Sequence, residues 1–299
     1  MGRSTDVRAA PAPDSGITPR GEVSPMTTQI DEVTTLSVMS ADGTPIGAHV
    51  SGSGRPLVLL HGASSDSSAW RMAAAWLQPH VRVVRVDRRG RGLSGDRSEY
   101  TIDAEYDDAV AVVDAAAQAY GGPVDLLGHS HGGNVAFGAA LRTKNIRRLV
   151  LYEGWPPPNP EHRRFPADLY TTLEELATTR PADMLRVFLR DCAGLSADEL
   201  AQLEAAPSWP ARVATAPTVP REVRAFGHCD FDPGTAAAIS VPTMLLVGSA
   251  STDEVKADPE IVAAAMPDAR IHVLDGQTHM AHLAAPEEFA TAVVEFLRD

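Results

Sequence analysis

The chain has 299 residues, of which 44% are hydrophobic and 22% are charged. These values are ordinary for one large globular domain or two small ones, and they exclude global disorder, collagen-like structure and a long coiled coil. The 26 basic and 39 acidic residues give a net charge of −13. Such a balance repels phosphate groups and anionic lipids, so we expect no binding to nucleic acids or membranes.

Cysteine usage and hydropathy further narrow the class of protein. Cys192 and Cys229 are too few for a disulfide framework and form no CxxC pair, so no zinc or redox site is expected. No apolar stretch reaches the roughly 18 residues of a membrane span, and the amino terminus lacks the apolar core of a signal peptide. We therefore expect a cytoplasmic protein whose partner is a small molecule. The sequence leaves the oligomeric state open.

The chain alternates between short apolar runs and helical patterns after its first segment. Residues 1–28 are rich in Pro, Ser, Gly and Thr, so we expect them not to pack. The alternation that follows predicts an α/β fold with a doubly wound, mostly parallel sheet, and a turn at 41–44 predicts an antiparallel start. Strands are predicted at 33–40, 45–50, 57–60, 81–86, 123–127, 147–152, 242–247 and 270–274. Helices are predicted at 68–78, 102–120, 132–142, 257–266 and 286–298.

The alternation stops between residues 156 and 235. A Pro-rich W-P-P-P-N-P sequence opens this region, and no strand pattern lies within it. We interpret residues 156–235 as a helical cap inserted into an α/β core that comprises 29–155 and 236–299. Helices in the cap are predicted at 167–178, 181–192 and 197–205.

A G-H-S-H-G-G sequence at 128–133 lies between a predicted strand and a predicted helix. A strand that turns sharply into a helix projects its corner side chain outward, which makes Ser130 the candidate nucleophile. A serine hydroxyl needs a base that accepts its proton. His279, after the last predicted strand, is the preferred base, and His282 is its competitor. Paired histidines near these positions could suggest a metal site, but no acidic ligand has suitable spacing, so no metal is expected.

The acid that would orient the histidine has two candidates. Glu153 closes the strand at 147–152, and Asp253 follows the strand at 242–247. Both keep the chain order serine, acid, histidine. An oxyanion hole needs two backbone N–H donors, which we assign to His131 and Ala63.

Together these motifs resemble the α/β-hydrolase family over roughly residues 31–299. The H-G loop at 61–62, the D-R-R-G-R-G-L-S turn at 87–94, the serine motif, the helical region and a G-Q-T-H loop occur in the family's order. The resemblance implies an eight-stranded sheet, a Ser–His–acid triad, no cofactor and a pocket between the sheet edge and the cap.

The chain departs from the family in the position of the acid that would orient the histidine. Ala250 and Ser251 stand where members commonly carry the acid after the seventh strand. A subset carries it after the sixth strand, and the spacing here is similar to haloalkane dehalogenases and zearalenone-type lactonases. Glu153 matches that position, so the resemblance favours Glu153 over Asp253.

The functional prediction is a serine hydrolase that cleaves an ester or lactone of a medium-sized, mostly apolar molecule. Perhydrolysis, acyl transfer or cyclisation on the same triad remains an alternative, as does a receptor that binds a small molecule without turnover. The residues predicted to line the substrate pocket are Ser64, Tyr152, Trp155 and Trp209.

Overall fold

The computed structural model describes residues 33–159, 165–227 and 229–299. The predicted unpacked segment 1–28 lies outside these ranges. An eight-stranded sheet forms the centre of the molecule, with the order β1-β2-β4-β3-β5-β6-β7-β8. Among these strands β2 alone runs in the opposite direction to the other seven, so the predicted fold class and its antiparallel start are confirmed. The strands are Thr34–Met39 (β1), Pro45–Ser51 (β2), Pro56–Leu60 (β3), Arg82–Val86 (β4), Val124–His129 (β5), Ile146–Tyr152 (β6), Thr243–Gly248 (β7) and Ala269–Leu274 (β8).

Helices cover both faces of the sheet, which explains why its central strands are continuous apolar runs. Every residue of β3, β5 and β7 is buried. One apolar core includes residues of α2, α3 and α11, and a second one includes residues of α1 and α13. The helices are Arg71–Leu77 (α1), Ile102–Tyr120 (α2), His131–Ala140 (α3), Ala167–Thr179 (α4), Pro181–Val187 (α5), Ala197–Ala205 (α6), Trp209–Ala214 (α7), Val219–Phe226 (α8), Pro233–Ala236 (α9), Asp253–Ala257 (α10), Pro259–Ala265 (α11), Ala281–Ala284 (α12) and Pro286–Arg298 (α13).

Several predicted helices differ in detail from the observed ones. The predicted helix 68–78 begins with a 3₁₀ turn at Ser67–Trp70, capped by the side chain of Asp66. The predicted helix 257–266 is α11, which begins at Pro259 and follows the short helix α10; Pro259 separates the two helices because it has no N–H to continue the hydrogen-bond pattern of α10. By contrast, α2 has the predicted bounds, with Thr101 capping its start and Gly121 ending it at φ 82°.

The helices α4 to α9 lie between β6 and β7. Many of their apolar residues form a third core of their own, with Leu173, Met184 and Val219 fully buried. The predicted helix 181–192 is α5 followed by a π-helical turn at Phe188–Cys192. That this region acts as a cap with bounds at 156 and 235 stays a prediction. Across the described ranges, no helix combines the length and apolarity needed to cross a bilayer.

Candidate active site

Ser130 occupies the sharp corner between β5 and α3. Its backbone has φ 54° and ψ −124°, a conformation that non-glycine residues rarely adopt. Neighbouring glycines permit this corner. A Cβ atom on Gly128 would lie 2.2 Å from the Gly132 carbonyl oxygen, and one on Gly132 would lie 2.4 Å from that of Leu60. Both positions therefore require glycine, as the spacing of the motif predicts.

Glu153 follows β6, the strand next to β5, and contacts the predicted base directly. The His279 Nδ1–H donates to Glu153 Oε2 over 2.7 Å. The other carboxylate oxygen, Oε1, accepts from the Gly248 N–H at 2.8 Å and from the Ser251 hydroxyl at 2.6 Å. Burial alone would raise the pKa of Glu153, but the hydrogen bond and charge of His279, with the two other donors, hold that pKa below its usual value. The buried carboxylate is therefore ionised at neutral pH.

The alternative acid, Asp253, lies at the surface. It begins α10 with a side chain that is 95% exposed, and its carboxylate pairs with Lys256 at 3.0 Å. Ser251, at the position where the family commonly carries its acid, instead donates to Glu153. The structure thus brings Glu153, and not Asp253, to His279.

Two buried rings fix the loop that carries His279. The Tyr152 hydroxyl donates to the Thr278 carbonyl at 2.5 Å and accepts from the Ala281 N–H at 2.9 Å. His129 Nε2 lies 2.9 Å from the His279 carbonyl oxygen, which can only accept, so His129 carries its proton on Nε2. The backbone on both sides of the imidazole is therefore anchored to residues beside the serine corner.

The competing histidine, His282, packs behind this loop. Its ring centroid lies 5.1 Å from that of Trp70 and 4.5 Å from that of His129, and the residue is 1% exposed. Burial, together with the nearby His279 and Arg212, lowers the pKa of His282 to about 3. His282 does not line the cavity described below, and its environment is that of a neutral core residue.

The two residues assigned to the oxyanion hole lie beside Ser130. A Cβ on Gly62 would be 3.2 Å from Ser130 Cβ, so the loop after β3 touches the serine corner. His61 supports this loop: its Nδ1–H donates to the Gly62 carbonyl at 2.8 Å, and its Nε2 accepts from the Arg88 N–H at 3.2 Å. Ala63 and His131 both line the cavity with Ser130, although the role of their N–H groups stays a prediction.

A contact that the sequence did not indicate joins the helical region to this loop. Ser64 is buried with φ 54°, and Arg212 of α7 donates to its carbonyl oxygen at 2.9 Å and to its hydroxyl at 3.3 Å. Nothing in the sequence near Arg212 signals this role, because the two residues are 148 positions apart.

The imidazole of His131 belongs to a buried ionic network. Ligand atoms of Glu105, His131 and Glu222 lie within 4.8 Å of one another, the spacing of a metal site. However, Arg88 pairs with Glu105 at 2.7 Å and with Glu222 at 3.1 Å, and Arg91 pairs with Glu222 at 2.6 Å. Two guanidinium groups already neutralise the two carboxylates, so these residues favour an ion-pair network over a cation. The arginines of the turn at 87–94 thus have a framework role.

A cavity of about 470 Å³ opens above Ser130 and His279. The predicted pocket residues are wrong, because Ser64, Tyr152, Trp155 and Trp209 do not line it. Tyr152 and Trp155 lie in the apolar cores with no exposed surface, Ser64 is buried beneath Arg212, and Trp209 packs on the core of the helical region. The apolar lining comes from other residues, which include Phe165, Phe188, Leu195, Val223 and Phe226.

Comparisons with known proteins agree with this architecture. The family model described as "Alpha/beta hydrolase family" matches residues 57–292. N-formylmaleamate deformylase from Pseudomonas putida is 28% identical over 82% of this chain and 90% of its own. A 2-hydroxymuconate semialdehyde hydrolase from a Pseudomonas strain is 36% identical, but the match spans only 37% of this chain and 40% of that protein.

Among solved structures, an alpha/beta hydrolase from Sphaerobacter thermophilus is 36% identical, with a TM-score of 0.77. The match covers 88% of this chain and all of that one. Identity, coverage and fold therefore agree with the family model, and the relatives named here are hydrolases. The chain belongs to the alpha/beta hydrolase family.

Proposed function

We propose that the protein is a serine hydrolase that cleaves an ester or lactone through an acyl-enzyme. The observation that carries this proposal is the 2.7 Å contact between Glu153 and His279, beside a cavity that also exposes Ser130. A carboxylate that accepts the Nδ1 proton leaves Nε2 unprotonated, and this nitrogen can then act as a base. The name of one relative, N-formylmaleamate deformylase, states that it removes a formyl group, and a formyl group is the smallest acyl group.

The mechanism follows from these positions. His279 accepts the proton of the Ser130 hydroxyl, whose oxygen attacks the substrate carbonyl carbon. The N–H groups of Ala63 and His131 stabilise the oxyanion of the tetrahedral intermediate. His279 then gives the proton to the departing alkoxide. The acyl group of the substrate remains on Ser130 as an ester. A water molecule, deprotonated by His279, hydrolyses this ester and restores the serine.

The cavity supports a medium-sized substrate. A volume of about 470 Å³ lies within the usual range of roughly 300 to 1,000 Å³ for small-molecule sites. Phe165, Phe188 and Phe226 supply aromatic surface for an apolar part of the substrate.

The proposal is tested with nitrophenyl esters and lactones of increasing size, assayed with the wild type, Ser130→Ala and His279→Ala. We expect the wild type to release the acid and the alcohol, and each variant to lose at least about a hundredfold in kcat while keeping its melting temperature within a few degrees. Analysis of the products with added alcohols or peroxide distinguishes hydrolysis from acyl transfer and perhydrolysis. Full activity in Ser130→Ala would refute the proposal.

A further inference from the structure

A hydrogen bond joins the helical region to the loop that carries His279. The Thr278 hydroxyl donates to Glu199 Oε1 over 2.7 Å, and Glu199 belongs to α6. Thr278 directly precedes His279 in the chain, and all three residues line the cavity above Ser130. The two bonded residues are 79 positions apart, so the contact depends on how the helical region lies over the sheet.

The carboxylate of Glu199 is fixed by the start of its own helix. Ser196 is the N-cap of α6, and its N–H and hydroxyl donate to Glu199 Oε2 at 2.9 and 2.7 Å. In return, the Glu199 N–H donates to the Ser196 hydroxyl oxygen at 3.3 Å, which completes a capping box. Leu200 and Leu203 pack α6 on the core of the helical region. Oε2 is therefore occupied within the helix, and Oε1 is held in place for Thr278.

Thr278 is held from two sides. Its carbonyl oxygen accepts from the Tyr152 hydroxyl of the sheet at 2.5 Å, and its own hydroxyl donates to Glu199 of the helical region. A shift of Thr278 would move the imidazole of His279 relative to Ser130. Displacement of a catalytic group by about 1 Å can cost about a hundredfold in rate, so the exact place of this backbone matters for the reaction.

Hydrogen bonds keep Glu199 ionised. Burial raises its pKa, but the donors of Ser196 and Thr278, together with the charge of His279, hold that pKa below its usual value. A hydroxyl that donates to an ionised carboxylate forms a shorter and stronger bond than one that donates to a neutral group. The contact of 2.7 Å between Thr278 and Glu199 is therefore a charge-assisted hydrogen bond at neutral pH.

We infer that Glu199 is a positioning residue for His279, so that the helical region takes part in catalysis and does more than line the cavity. The inference rests on the proposed function for the reaction itself. Glu199 fixes Thr278 through the hydrogen bond, and Thr278 fixes the backbone of His279. A second contact of the same kind runs from Arg212 of α7 to Ser64, so two consecutive helices each hold one loop of the site.

The kinetic test compares Thr278→Val with Thr278→Ser on a nitrophenyl ester. Valine has the shape of threonine without its hydroxyl. Thr278→Val should lower kcat by about fivefold and change KM by less than about twofold, because a displaced base weakens mainly the binding of the transition state. Serine keeps the donor, so Thr278→Ser should restore most of the activity. Equal kcat in the wild type and Thr278→Val would overturn the inference.

A double-mutant cycle with Glu199→Met isolates the contact itself. Methionine favours a helix but has no carboxylate oxygen to accept the hydroxyl proton. Glu199→Met and Thr278→Val should lower kcat to a similar extent, and the double variant should be no slower than either single variant. Glu204→Met is the matched control, because Glu204 lies on the same helix, pairs with Arg186 at 2.5 Å and does not line the cavity. Independent losses that multiply in the double variant, or a loss in Glu204→Met as large as in Glu199→Met, would overturn the inference.

A measurement without turnover separates this inference from the proposed reaction. Hydrogen–deuterium exchange is followed by mass spectrometry in the peptide of residues 276–283, which contains the Ala281 N–H bonded to Tyr152. Exchange in this peptide should be about threefold faster or more in Thr278→Val than in the wild type, and unchanged in Glu204→Met. If exchange rises in this way while the wild type cleaves no ester, the proposed hydrolysis fails and the positioning contact stands. Unchanged exchange in Thr278→Val would overturn the inference.

Discussion

Glu153 and His279 are 126 residues apart in the chain and 2.7 Å apart in the structure. Parallel pairing of β5, β6, β7 and β8 explains this contact, because the carboxyl ends of parallel neighbours lie at one edge of a sheet. Ser130 follows β5, Glu153 follows β6 and His279 lies on the loop after β8. The donors to Glu153, at Gly248 and Ser251, lie at the end of β7.

The first prediction concerns the identity of the acid. Glu153→Gln should lower kcat on a nitrophenyl ester by at least about a hundredfold, because a neutral amide cannot stabilise the imidazolium that forms during the reaction. Asp253→Asn, at an exposed position, should stay within about twofold of the wild type. If Asp253→Asn loses activity and Glu153→Gln keeps it, the assignment of Glu153 is wrong.

Ser251 should act as a positioning residue for Glu153. Ser251→Ala removes a charge-assisted hydrogen bond of 2.6 Å, which is worth about 1.5 to 3 kcal/mol, and should lower kcat by about tenfold with little change in KM. The pKa of Glu153 should also rise, because one group that stabilises its ionised form is lost. Carboxylate titration by NMR or infrared spectroscopy measures this change.

Ser249→Ala is the matched control for that experiment. The Ser249 hydroxyl bonds to Asp275 at 3.2 Å and to the Gly276 N–H at 2.7 Å in an exposed part of the same loop. The kcat of Ser249→Ala should equal that of the wild type. A loss in Ser249→Ala as large as in Ser251→Ala would mean that loop stability, and not the bond to Glu153, determines the rate.

Arg212 should position the oxyanion loop through Ser64. Arg212→Met removes the donor that lies 2.9 Å from the Ser64 carbonyl oxygen. The variant should lower kcat by about tenfold, with a smaller effect on KM. The reason is that an N–H donor displaced from the oxyanion weakens only the binding of the transition state. The control is Arg224→Met, whose exposed side chain pairs with Glu174. Equal kcat in both variants would show that Arg212 has only a packing role.

Buried histidines should make stability depend on pH below neutrality. Burial lowers the pKa of His61, His129 and His282, so the unfolded chain binds more protons than the folded one as the pH falls below about 6.5. Each of these histidines lowers the free energy of unfolding by up to about 1.4 kcal/mol per pH unit between a pH of about 6.5 and its pKa in the folded protein. The melting temperature should therefore fall from pH 7 to pH 5.

His282→Phe tests this explanation because it keeps an aromatic ring against Trp70 while removing one titrating group. Urea unfolding of the variant should show a smaller change in the free energy of unfolding between pH 7 and pH 5 than the wild type shows. His80→Gln, at an exposed position, is the control. An unchanged pH dependence in His282→Phe would contradict the prediction.

Local patterns were sufficient to predict much of the fold. The serine corner requires glycines at fixed spacing, and the apolar runs that became strands are continuous because both faces are covered. The sequence could not distinguish the residues that line the cavity from those that pack in the core. Trp155 and Phe226 are both aromatic, but the tertiary arrangement buries Trp155 and exposes Phe226 to the cavity. The contact between Arg212 and Ser64 depends on how the helical region lies over the loop after β3, which no periodicity encodes.

Activation of the Ser130 hydroxyl by His279 is tested by mass spectrometry of the protein after exposure to a fluorophosphonate. We expect one covalent adduct on the wild type, mapped by peptide digestion to Ser130, no adduct on Ser130→Ala and strongly slowed labelling of His279→Ala. An unlabelled wild type, or an adduct at a residue other than Ser130, would contradict it.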